Sequence, residues 1–181
     1  MRLSELELSK RGNQIRELLK PISRTGSGPA WERVGSTTTR VIIGTHDEAR
    51  PSSAYRDWRF KVNAKSCHGM YFEEWSFERS DRYVLNKACL SIYERFGRDE
   101  RELICLHCEP SLPSTADHVR YRRGPHVHMK AARSPFDRAH IALQGPNVDE
   151  ALRSGQSLHN ALAWGVEMIR DEVLLLIGGE A

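Results

Sequence analysis

Apolar residues recur at helical spacing at both ends of the chain and at strand spacing between them. Near the start, Leu8, Ile15, Leu18 and Leu19 fall on one helical stripe. Ser4 followed by Glu7 has capping-box spacing, and Pro21 stops the run, so a helix is predicted within residues 1–21. Gly12 weakens it by about 1 kcal/mol relative to alanine. Near the end, Leu158, Leu162, Val166, Ile169, Val173 and Leu176 recur at steps of three and four. They predict a long amphipathic helix over 157–177, with Gly178-Gly179 as its C-cap. Residues 22–36, rich in Gly, Ser and Thr, read as a flexible connector.

Between the helices the period drops to two. Thr37–Ile43 is β-branched and reads as a strand. Trp58, Phe60 and Val62 alternate with Arg59, Lys61 and Asn63. Residues 70–77 are aromatic-rich, with Phe72 and Trp75 out of simple alternation, which a bulge would reconcile. Residues 83–95 and 102–109 form a hairpin around a polar turn. In its second arm Leu103, Cys105 and His107 share one face, and Ile104, Leu106 and Cys108 share the other. Both faces are apolar, so this arm is expected in the middle of the sheet, and His107 is expected to be core rather than site.

A further strand is expected over about 117–123, with Val119 and Tyr121 on one face and His118, Arg120 and Arg122 on the other. Gly124-Pro125 interrupts it, because proline has no N–H to give the ladder. Beyond the break His126, His128 and Lys130 share a face, and 139–143 suits a last short strand. The chain of 1–181 is therefore expected to be a single α+β domain: a largely antiparallel sheet within 37–144, an N-terminal helix and a long C-terminal amphipathic helix.

Composition adds exclusions. With 181 residues, 39% apolar and 28% charged, the chain is long enough to bury a core without metal or disulfide support. It has no apolar run of membrane-spanning length, and early acids stand where a signal peptide would be apolar. A cytoplasmic protein with four reduced cysteines is the expectation. Cys105 and Cys108 form a C-x-x-C, but in a strand pattern rather than at a helix start, which reads against redox use. No glycine-rich phosphate loop is present, so no nucleotide cofactor is expected.

Charge points to one region. Five of the eight histidines lie between 107 and 140, and from His118 to His140 six basic residues face the single acid Asp137. Arginine grips phosphate with a planar fork, and histidine is the side chain whose ordinary pKa suits both proton donation and acceptance near neutrality. His126, His128 and Lys130 are thus the candidate catalytic residues, and Arg120, Arg122, Arg123, Arg133, His118 and His140 the candidate binding residues. The expected function is binding of nucleic-acid phosphate, RNA favoured. Any catalysis would be metal-independent, ribonuclease-like phosphodiester cleavage of the kind found among bacterial toxins.

Three other readings stay open. The histidines can be structural. His126 and His128 can share a metal with His107, Cys108 or His118, although the local positive charge opposes a cation and no metal is expected. Or the chain can be a non-catalytic subunit or antitoxin that binds a partner protein. The sequence also falls short of a histidine-triad motif, because Lys130 stands where the third histidine would be. Convergence of the histidines in one place favours function; scatter over both sheet faces favours structure.

Overall fold

A computed structural model describes residues 1–23, 28–33, 37–44, 67–78, 81–110, 120–129, 139–143 and 148–178. The strand expected around Trp58 lies outside these residues. The first helix, α1 (Glu5–Leu19), starts as its sequence predicts: Ser4 Oγ accepts from the Glu7 N–H, and the Glu7 carboxylate accepts the Ser4 N–H at 2.7 Å. Leu8, Ile15, Leu18 and Leu19 are buried, and so are Arg11 and Gly12. A short strand, β1 (Arg2–Ser4), precedes the helix.

Among the described residues eight strands make one sheet. β2 (Gly28–Arg33), β3 (Thr38–Gly44), β4 (Cys67–Glu78), β5 (Arg82–Phe96), β6 (Asp99–Cys108), β7 (His126–Met129) and β8 (Ala139–Ala142) lie side by side in chain order. Every described pairing is antiparallel. β1 pairs with residues 82–84 of β5, beyond the stretch that β6 occupies. The β5–β6 hairpin closes through Gly97, whose φ of 63° suits a residue without a side chain. The α+β architecture and the interior position of β6 are as the periodicity implies.

The connector expected over 22–36 is corrected in part. Residues 28–33 form β2, paired with β3 from Gly28↔Gly44 to Arg33↔Thr39. Among the described residues β2 is an edge strand, which tolerates the glycine and proline that made this segment look unstructured, because outer N–H groups there have no ladder to complete.

The middle of the sheet is buried on both faces, and the faces differ in kind. On one face pack α1 and α4 (Gly155–Ile169), enclosing Tyr71, Trp75, Leu85, Leu90, Ile92, Ile104, Leu106 and Val127. Gly165 brings α4 close to β6, since a Cβ there would meet a Leu106 methyl at 2.6 Å. The opposite face holds a smaller cluster of Phe72, Cys89 and Cys105, with Met70 against it. Phe72 and Trp75 therefore do not compete for one face; ordinary alternation sends them to opposite ones. A register shift does occur at Glu74/Trp75, with Asn86 as the extra residue of β5. A second shift, at Ile92/Tyr93, leaves Leu103 as the extra residue of β6 and turns it onto the helix-side core, away from the face expected for it.

The C-terminal helix carries a correction as well. α4 runs on through one π turn (Arg170–Leu174) into α5 (Leu175–Gly178). The wider turn inserts a residue into the apolar stripe. Leu158, Leu162, Val166 and Ile169 are buried as expected, but Leu174 is then buried while Leu176 is 69% exposed. No helix among the described residues is long and apolar enough to cross a membrane.

One polar group sits inside the helix-side core. The guanidinium of Arg11 and the carboxylate of Glu73 are both fully buried, 2.7 Å apart. Glu73 also accepts from Tyr71 Oη at 2.7 Å and from Trp75 Nε1 at 3.1 Å, and Arg11 Nη1 donates to Gln14 Oε1 at 3.1 Å. Removing one partner of such a pair leaves an unpaired buried charge. Arg11→Met is expected to cost about 3–5 kcal/mol in urea unfolding. Adding Glu73→Gln is expected to recover part of that, because glutamine is uncharged, its oxygen can accept from Trp75 Nε1, and its amide N–H can donate to Tyr71 Oη. A double variant no more stable than Arg11→Met would show that charge is not what holds the pair's value.

Candidate functional site

The antiparallel ladder assembles the histidines. In β6 and β7, His107 stands opposite His126, and Cys105 opposite His128. In β8, His140 stands opposite His128. Directly opposed residues share a face, as do residues two apart in one strand, so His107, His126 and His128 meet on the face away from the helices. Their ring centroids are 5.2 Å (107–126), 5.8 Å (107–128) and 5.6 Å (126–128) apart. His107 and His126 are buried and His128 is half-buried.

The Gly124-Pro125 break sets one tautomer. His126 Nδ1 lies 2.9 Å from the Gly124 carbonyl oxygen, which only accepts. Nδ1 therefore carries the proton, and in the neutral ring Nε2 carries the lone pair. A side chain at Gly124 would press on Val148 of the short helix α3 (Val148–Ala151), whose methyls come within 3.1–3.2 Å of an added Cβ.

Glu109 collects the nearby charge. Its Oε2 accepts from Arg122 Nη2 at 3.0 Å, and its Oε1 is 3.4 Å from His107 Nε2 and 4.0 Å from Lys87 Nζ. The His107–Glu109 approach has ion-pair distance but not hydrogen-bond geometry, since both ring nitrogens of His107 lack a hydrogen bond among the described residues. Burial pushes the His107 pKa down to about 2, helped by the positive charges of Lys87, its two histidine neighbours and Arg122. His107 is a neutral imidazole at physiological pH.

The expected residues divide. His126 and His128 come together, and Arg122 joins them through Glu109. The strand expected to carry Arg120 and Arg122 is instead a helical turn, α2 (Arg120–Arg123). Within one turn, side chains leave at about 100° intervals rather than on two faces, so Arg122 and Arg123 part company. The Arg123 carbonyl accepts from Cys108 Sγ at 3.1 Å, and its charge acts on the Met1 amino group, both on the helix side. Arg120 opens the turn, and His140 holds its ladder place opposite His128. His118, Lys130 and Arg133 lie outside the described residues.

Sequence reasoning set His107 aside, yet it touches both other rings. The overlooked signal is the pair Cys105-x-His107 and His126-x-His128: matching alternation in two successive strands that the sheet pairs antiparallel. Among the described residues no set of three or more His, Cys, Asp or Glu is arranged to hold a metal ion.

The depressed His107 pKa makes stability fall on acidification. Below its ordinary pKa of about 6.5 the unfolded chain takes up a proton that the folded chain refuses down to about pH 2. The stabilisation is full above about pH 6.5 and is lost as pH falls. Replacing His107 by Gln is expected to flatten the dependence of unfolding free energy on pH, between about pH 4 and 6, by up to about 1.4 kcal/mol per pH unit. An unchanged slope would mean that His107 protonates normally in the fold. No protein-family model, curated protein or solved structure matches the chain.

Proposed function

We propose that the histidine face binds the phosphate groups of nucleic acid, with RNA the favoured polymer. The observation that carries this reading is a pair of buried donors beside the cluster. Arg122 Nε and the ring N–H of neutral His107 make no hydrogen bond among the described residues. A buried donor left without an acceptor costs about 1–3 kcal/mol. Arg122 and Lys87 outnumber Glu109 by one charge. A phosphate oxygen supplies both the missing acceptor and the missing anion.

The same face suits metal-independent cleavage of RNA, with the roles redistributed. His126 is fully buried, so a phosphodiester cannot be straddled by His126 and His128 as an equal pair. His128, the half-buried ring, takes the proton-transfer role, and His126 positions it. Arg122 and Lys87 face the charged intermediate.

Binding of fluorescent single-stranded RNA, followed by anisotropy over a range of salt, tests the first part. Arg122→Gln is expected to weaken binding roughly tenfold and to reduce the salt slope by about one counterion. Affinity and slope that match the wild type would sink the proposal. For cleavage, labelled RNA is incubated in EDTA with wild type and His128→Ala. Loss of product with retained binding supports the role of His128, and cleavage that survives the change removes it.

A further inference from the structure

We propose that Cys89 and Cys105 form a peroxide-oxidisable dithiol that closes into a cross-strand disulfide on the histidine-bearing face of the sheet. Cys89 of β5 stands opposite His107, and Cys105 of β6 stands opposite Ser91. The two cysteines are therefore diagonal neighbours on one face. Their sulfurs are 3.1 Å apart, and both cysteines are in the reduced state. A disulfide requires about 2.05 Å, so the sulfurs need to approach by about 1 Å. The register shift at Ile92/Tyr93 lies next to this pair and interrupts the ladder that would otherwise resist such a movement.

The other thiols stand apart. Cys108, the partner of Cys105 in the C-x-x-C, faces the helices and gives its S–H to the Arg123 carbonyl. Cys67 is at the start of β4, opposite Glu94. The partner of Cys105 is thus set by the ladder rather than by sequence spacing.

The surroundings assign the order of events. Cys89 Sγ has two hydrogen-bonding neighbours, Cys105 Sγ at 3.1 Å and Ser91 Oγ at 3.3 Å. Its hydrogen bond with Cys105 and then that with Ser91 hold the Cys89 thiol below its ordinary pKa, against the effect of burial. Cys105 is shifted the opposite way, first by its bond to Cys89 and then by burial. Cys89, which has the Ser91 hydroxyl beside it as well as Cys105, is the attacking sulfur, since a thiolate held by hydrogen bonds is the nucleophile. It attacks one oxygen of hydrogen peroxide, the O–O bond breaks, and the second oxygen leaves as hydroxide, which takes up the proton the Cys89 thiol released and becomes water, giving a sulfenic acid at Cys89. Cys105 sulfur then attacks Cys89 sulfur, the S–O bond breaks, and the hydroxyl leaves with the Cys105 proton as a second water. Two thiols are oxidised by two electrons, and one peroxide is reduced to two waters. Both cysteines are at most 5% exposed, which restricts the oxidant to a small molecule of this kind.

Closure would tie β5 to β6 directly beside His107 and His128, because Cys89 opposes the first and Cys105 the second. The full-length protein is treated with hydrogen peroxide, quenched, denatured and alkylated. The expected result is a fall from four alkylated thiols to two, an intact mass lower by two hydrogens before alkylation, and full return of the thiols with dithiothreitol. A non-reducing digest is expected to yield the Cys89 peptide joined to the Cys105 peptide. Four thiols still reactive after treatment, a link that joins other cysteines, or oxygen addition at Cys89 without a link would each overturn the proposal. Cys89→Ser is expected to keep all three of its thiols under the same treatment. Because the peptide map is made on the wild type, the outcome does not depend on that variant folding.

Discussion

The ion pair between Arg11 and Glu73 is the constraint around which the helix side of the molecule is arranged. Two opposite charges with no exposure are tolerable only if every lone pair and N–H has a partner. Three groups supply that satisfaction: Tyr71, Trp75 and Gln14. Burial and the neighbouring carboxylate raise the Tyr71 pKa well above its ordinary value, so the phenol remains a donor. The network fixes the rotation of α1 and the face on which β4 presents Glu73. By alternation it also fixes where Met70 and Phe72 go. One polar contact on the helix side thus sets what the opposite side contains.

That opposite side is unusual for a buried sheet face. It carries His68 stacked on Tyr93 with ring centroids 5.3 Å apart, then Ser91 with the two close thiols, then the three imidazoles and Glu109. Burial acts on each group in the direction of its neutral form: His107 loses its proton readily and Tyr93, raised to about 12, keeps its own. The proposed anion binding rests on the unused donors and nearby cations of this face. A dithiol within the same surface adds chemistry that depends on electrons rather than charge. The two proposals share a face but rest on different atoms, and either can fail without the other.

Much of the fold was legible in the residues themselves. The Ser4–Glu7 box, the stripes of Leu8 to Leu19 and Leu158 to Ile169, and the hairpin around Gly97 are each determined within a few neighbouring positions. Errors arose where a local pattern had a second solution. Arg120 to Arg123 alternates as a strand would, yet it forms a helical turn, because β7 begins only at His126 and the chain must first turn at Gly124-Pro125. β2 looked unstructured because the edge position that excuses its Gly28 and Pro29 is a property of the sheet, not of the segment. Leu176 matched a helical period that one π turn shifted, leaving Leu174 to fill the core.

The sequence by itself determined the secondary-structure periods, the helix caps and the concentration of histidine and arginine between 107 and 140. It did so because propensity, capping and alternation act over short range along the chain. Tertiary structure decided which of those residues meet. Register between strands brought His107 to His126 and Cys89 to Cys105 across 19 and 16 positions respectively. A single bulge decided that Leu103 left the face His107 occupies. Pairing, burial and their effect on protonation are set by neighbours in space, and these exist only once the sheet has closed.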